Sequence, residues 1–158
     1  MPVAPERRAP AVADLLLVLA ELEGHGVRYA LLGGAAMAVH GFPRMTRDID
    51  CLFPVDARNN ARLMAALKEL GTKLRFDFLP DRKSLDQGFS TAAEGEIALD
   101  ILFVAASRRF EDYARHIEER EIDGVRFKVL DVDGMLMSKE TDRAVDIPDR
   151  QRLRGLKG

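Results

Sequence analysis

The sequence predicts an α/β (α+β) fold in which helices pack against a mixed β-sheet. Three observations predict it. Segments with apolar residues at helical spacing alternate with short, dense apolar runs. One run, residues 96–104, is apolar on both faces, as a central strand is. Asp123-Gly124, set between alternating residues, marks a hairpin.

The elements follow in order. After Pro2, Pro5 and Pro10, residues 11–23 carry Leu15, Leu16, Leu19 and Leu22 on a helical stripe, which Gly24 and Gly26 stop. Residues 27–32 read as a strand broken by Gly33-Gly34, and 35–40 as a short Ala-rich helix with Gly41 as its C-cap. A loop starts at Phe42-Pro43, and 48–53 is a second strand. Asp56 can cap a helix through Leu70, with the stripe Leu63, Ala66, Leu67, Leu70 and the stop Gly71. Leu74, Phe76 and Phe78 alternate, so 73–79 is expected to be a strand. The polar stretch 80–95, with Gly88 and Gly95, reads as an exposed loop. Residues 96–104 form the central strand. Ser107 can cap a short helix through His116, and 119–129 folds back on itself as a hairpin. Asp131 can cap a last helical region containing Met135, Leu136 and Lys139, interrupted near Pro148. The 158 residues suit one domain, 1–158, with 131–158 as a C-terminal helical extension.

Composition narrows the function classes. The chain is 47% hydrophobic and 32% charged, ordinary for a globular protein, and its net charge of -2 argues against a coat for nucleic acid or an anionic membrane. The longest apolar run, 30–39, holds two glycines and is too short to span a bilayer, so no membrane partner is expected. Positions 1–10 lack the pattern of a signal peptide, and a cytoplasmic location is expected. Cys51 is the sole cysteine, which excludes an intramolecular disulfide and a multi-cysteine zinc site. His25, His40 and His116 are scattered without metal-ligand spacing and read as surface or cap residues.

The chemistry lies in aspartates where aspartate is disfavoured. Burying an ionised carboxylate costs several kcal/mol unless something offsets it, yet Asp48 and Asp50 sit in a strand with Ile49 and Leu52. Side chains at i and i+2 share a face, about 7 Å apart along the strand. Asp100 repeats the oddity inside Ala98-Leu99-Asp100-Ile101-Leu102. If the two strands are neighbours, three carboxylates face one pocket and a divalent cation is the natural remedy. All-oxygen ligands favour magnesium or manganese. The competing reading makes Asp48 a turn residue, pairs Asp50 with Arg44 or Arg47, and pairs Asp100 with a buried arginine. Gly33-Gly34, running from a strand into a small-residue helix, lets a phosphate reach backbone N–H groups, or serves only as a tight packing turn. Cys51 points away from the carboxylates, into the core.

Taken together, Leu32-Gly33-Gly34, then Arg44-x-Thr46-x-Asp48-Ile49-Asp50, then Leu99-Asp100-Ile101 resemble the DNA polymerase beta-type nucleotidyltransferase superfamily. The nearest resemblance is to the small bacterial nucleotidyltransferases of toxin–antitoxin and abortive-infection loci. It implies a nucleotidyltransferase-like sheet and a magnesium-dependent (or manganese-dependent) enzyme acting on a nucleoside triphosphate. Asp48 and Asp50 would bind both metals, Asp100 the catalytic one, and the Gly33 and Gly34 backbone the β- and γ-phosphates. Arg44, Thr46 and Lys139 would join the nucleotide site. Lys139 is equally readable as a solvated helix lysine, and Arg47 as a solvated loop residue. Asp146 and Asp149 read as structural or capping. Many relatives carry serine where this chain has Gly34, which leaves only backbone contacts there. The implied acceptor is a protein side chain or a tRNA 3′ end, and a cognate toxin or antitoxin protein is an expected partner. The alternative to an enzyme is a weakly catalytic or non-catalytic binding component of a toxin–antitoxin pair.

Overall fold

A computed structural model describes residues 6–44 and 46–157. Helix α1 (Val12–Gly24) leads into strand β1 (Ala30–Leu32), helix α2 (Gly33–Val39) and strand β2 (Asp48–Leu52). Helix α3 (Ala57–Lys73) and the short α4 (Arg82–Asp86) return the chain to β3 (Thr91–Glu94) and β4 (Ala98–Leu102). A small hairpin of β5 (Val104–Ala105) and β6 (Arg108–Arg109) precedes α5 (Phe110–Tyr113) and a 3-10 turn at Ala114–His116. Then come β7 (Ile117–Ile122), β8 (Val125–Leu130), α6 (Val132–Ser138) and α7 (Asp146–Leu156).

Six strands make one mixed sheet in the order β3-β4-β2-β1-β8-β7. Strand β2 runs antiparallel to β1 and parallel to β4, and β8 runs parallel to β1. The mixed α/β architecture is therefore the one the sequence predicts. The apolar stripes of α1 and α3 form the hydrophobic core with the sheet: Val18, Leu19 and Leu22 with Leu63, Leu67 and Leu70 are fully buried. Each such leucine contributes about 1.5–3 kcal/mol by leaving water. No described helix is long and apolar enough to cross a membrane.

Several local expectations are corrected. The predicted strand 73–79 is absent: α3 runs through Gly71 to Lys73, and the N–H of Leu74 closes the helix onto Leu70 O. Arg75 then turns the chain with φ 54, and only Phe78 bridges to Glu94. The alternation of Leu74, Phe76 and Phe78 is thus a helix end followed by a turn, with Phe78 left exposed. The stretch 80–95 is not simply a loop. Asp81 accepts from Ser84 N to start α4, which buries Leu85, and β3 forms an edge strand. Ser107 caps nothing; with Ala106 it makes the positive-φ turn between β5 and β6, and the Arg109 N–H is taken by Asp112 instead. Pro148 does not interrupt a helix. It stands in the first turn of α7, where its missing N–H has no intrahelical partner to lose. The hairpin at Asp123-Gly124, both with positive φ, and the Asp131 cap of α6 form where expected.

Candidate active site

The site grows from the register of three strands. Asp50 stands opposite Asp100 in the parallel β2–β4 pair and opposite Leu32 in the antiparallel β1–β2 pair. Asp48 lies one strand period earlier, opposite Ala98, and shares the face of Asp50. The intervening Ile49 and Cys51 are fully buried on the other face. Asp48, Asp50 and Asp100 are each half-buried, and among the described residues none of them forms an ion pair with arginine or lysine within 4.0 Å. The pairing of Asp50 with Arg44 or Arg47 does not occur.

Their electrostatics record the crowding. Burial raises the Asp50 carboxyl above its ordinary value, and contact with Asp100 and the charge of Asp48 raise it further; Lys139 opposes them. Asp48 is raised by burial and by Asp100, with Arg7 and Arg47 pulling the other way. Among the described residues no group of three acidic, histidine or cysteine side chains is placed to hold a metal ion as it stands. What the strands present is three carboxyl groups in adjoining register, each making it harder for its neighbour to ionise.

Gly33 follows Leu32 directly and so emerges beside Asp50. Its φ is +73, and a Cβ there would lie 2.1 Å from Asp50 Oδ2. Gly34 faces the loop before β2, where a Cβ would lie 2.9 Å from both Cβ and Oγ1 of Thr46 and 3.6 Å from Arg44 Nε. Thr46 itself donates to Asp48 O at 2.9 Å. The glycine at position 34 therefore has a local cause: the Thr46 side chain fills the space that a serine there would need.

Lys139 is buried, and Arg44, though exposed, is held by an ion pair. Arg44 donates through Nη1 to both oxygens of Asp149 at 2.8 Å. Lys139, the buried C-cap of α6, lies 3.1 Å from Asp149 and 3.4 Å from Asp146. Arg150 caps the same helix end by donating to Lys139 O. Sequence reasoning treated Asp146 and Asp149 as structural or capping and missed this junction; two aspartates three apart in the first turn of a helix were the available signal. It also missed the N-terminal segment. Arg8 bridges Asp14 and Glu96, and a cavity of about 700 Å³ opens between Arg7, Arg8, Ala9, Thr46, Arg47 and Asp48. Of the histidines, His25 and His40 are the C-caps of α1 and α2, as expected; His40 is also buried, its Nε2 at 2.7 Å from Leu130 O.

Burial alone would raise the Asp149 carboxyl, but hydrogen bonds from Lys139 and Arg44 outweigh it and hold the group below its ordinary value. Its stabilising effect is complete above the ordinary carboxylate pKa and is lost as pH falls through the depressed folded value. Asp149→Asn should lower stability by about 3 kcal/mol at neutral pH, the low end for breaking a buried pair because Lys139 retains Asp146. Urea unfolding at neutral and strongly acid pH checks this: the gap between variant and wild type should close on acidification.

The mixed sheet, with two carboxylates on one strand, a third on its parallel neighbour and a glycine turn against them, belongs to a nucleotidyltransferase, the class its family match shows. The chain belongs to the aminoglycoside-2''-adenylyltransferase family, whose sequence model matches residues 14–144. Among solved structures it is similar to the lincosamide antibiotic adenylyltransferase LnuA bound to lincomycin (TM-score 0.66, 17% identity, covering 94% of this chain and 99% of that one). It is also similar to the antibiotic-resistance factor ANT(2'')-Ia (TM-score 0.61, 19% identity, 92% and 83% covered). A putative nucleotidyltransferase from Thermotoga maritima shares the fold at a TM-score of 0.55 and 15% identity, with 92% and 89% covered. A search of curated proteins found no match.

Proposed function

We propose that this enzyme moves a nucleoside monophosphate from a nucleoside triphosphate to a hydroxyl of a small hydroxylated antibiotic, in the cytoplasm. The reading rests above all on Asp50 standing opposite Asp100 with the Gly33 backbone pressed against its carboxylate. The family model and the antibiotic adenylyltransferases among similar folds support the reaction class and the kind of acceptor. A protein or tRNA acceptor, and a cognate toxin or antitoxin partner, draw no support from them.

Asp48, Asp50 and Asp100 would hold magnesium or manganese, which fits an unpaired, mutually repelling oxygen set. A cation held there would supply Lewis-acid polarisation and a lowered pKa for the acceptor hydroxyl. Asp100 orients that hydroxyl and receives its proton. The acceptor oxygen bonds to the α-phosphorus as the bond to the bridging oxygen breaks, and pyrophosphate departs. The backbone at Gly33 and Gly34, the Thr46 hydroxyl, Arg44 and Lys139 grip the β- and γ-phosphates and offset their charge. On this reading residues 131–158, which carry Lys139, form one working unit with the sheet.

The test is incubation with each of four labelled triphosphates, magnesium, and a panel of lincosamides, aminoglycosides, tRNA and cell protein. Metal-dependent label on an antibiotic is expected. Label on tRNA or protein alone would redirect the acceptor, and none anywhere would overturn the enzymatic reading for this chain.

A further inference from the structure

The geometry points to Asp149 as a positioning residue that holds Arg44 over the glycine turn and ties it to Lys139 at the end of α6, so that α7 sets the triphosphate grip. The inference rests on the proposed nucleotide site. The Asp149 side chain is 1% exposed, so its charge is spent on protein partners. Both of its oxygens receive Arg44 Nη1 at 2.8 Å, and Oδ2 lies 3.1 Å from Lys139 Nζ. Arg44 then reaches back, its Nε 3.6 Å from where a Cβ on Gly34 would sit. Lys139, 7% exposed at the end of α6, meets the same carboxylate from the other side.

One buried carboxylate on α7 thus joins two cations from separate segments, the loop before β2 and the end of α6. Neither cation is held by its own element. Arg44 precedes the strand in open loop, and Lys139 follows the last turn of a seven-residue helix. A flexible arginine or lysine loses rotamer freedom when it meets a phosphate, and a fixed counter-ion removes that cost beforehand. Asp146, 3.4 Å from Lys139, shares the load for the lysine but not for the arginine, so Arg44 depends on Asp149 more strongly.

The test uses the full chain and inorganic tripolyphosphate with magnesium as the probe, followed by calorimetry, with ATP titrated in parallel. Asp149→Asn is expected to weaken tripolyphosphate binding at least roughly tenfold, the scale of a lost charge-assisted contact, and to raise KM for the triphosphate more than it lowers kcat. Asp149→Glu should recover part of the binding. Arg44→Lys keeps the charge but has one nitrogen, which cannot meet Asp149 and lie near the glycine turn together as Nη1 and Nε do; it should lose binding nearly as far as Asp149→Asn, and serves where that variant does not fold. Wild-type binding of tripolyphosphate with unchanged binding in either Asp149→Asn or Arg44→Lys overturns the inference. Failure of the wild type to bind it overturns the nucleotide site itself, a distinguishable result.

Discussion

Asp50→Asn is expected to cut nucleotidyl transfer by at least roughly a thousandfold, about 4 kcal/mol of barrier, while leaving the fold as stable as before or more so. The two effects have opposite signs for one reason. Asp50 is half-buried, faces Asp100 across β2–β4 and has no arginine or lysine within ion-pair distance among the described residues. A carboxyl whose folded pKa is raised costs stability once pH climbs past its ordinary value, so removing the charge removes that cost. A structural ion pair behaves in the reverse way, as Asp149→Asn should. Steady-state kinetics and thermal unfolding on the same samples check the pair of signs. Unchanged turnover, or a large loss of stability, would contradict the assignment of Asp50.

Gly33→Ala is expected to be nearly as damaging, and through geometry alone. The position needs φ +73, which costs a residue with a Cβ about 1–2 kcal/mol. The added methyl would stand 2.1 Å from Asp50 Oδ2, so either the carboxylate or the turn must move. A shift of about 1 Å in a reacting geometry can cost a hundredfold in rate. The loss should appear in kcat/KM together with weaker nucleotide binding, measured by calorimetry with ATP and magnesium. Gly34→Ser meets Thr46 at 2.9 Å and should also be harmful, unlike a change that restores a missing hydroxyl.

The sheet and its carboxylates were legible because strand aspartates flanked by Ile49, Leu52, Leu99 and Ile101 are costly and therefore informative. So were the α1 and α3 stripes, the Asp123-Gly124 turn and the Asp131 cap, each a local signal with a local cause. The failures lie where tertiary context overrides spacing. Leu74, Phe76 and Phe78 alternate like a strand, but burial of Leu74 draws α3 past Gly71 and leaves Phe78 outside. Residues 80–95 look polar, yet Asn60, buried on α3, takes Asp86 of α4 as its partner, and Leu85 completes the core. The Arg44–Asp149 bond spans 105 residues, and no window along the chain can display it. For the same reason the space taken by Thr46, which explains Gly34, was invisible until β1 and β2 were in register.

The central claim is tested most directly by a crystal structure with manganese and a non-hydrolysable nucleoside triphosphate, read through the anomalous signal of the metal. Manganese bound by carboxylate oxygens of Asp48, Asp50 and Asp100, with the phosphates against Gly33 and Gly34, is the predicted result. Metal bound elsewhere, or the Asp100 carboxylate turned away from the other two, would contradict it.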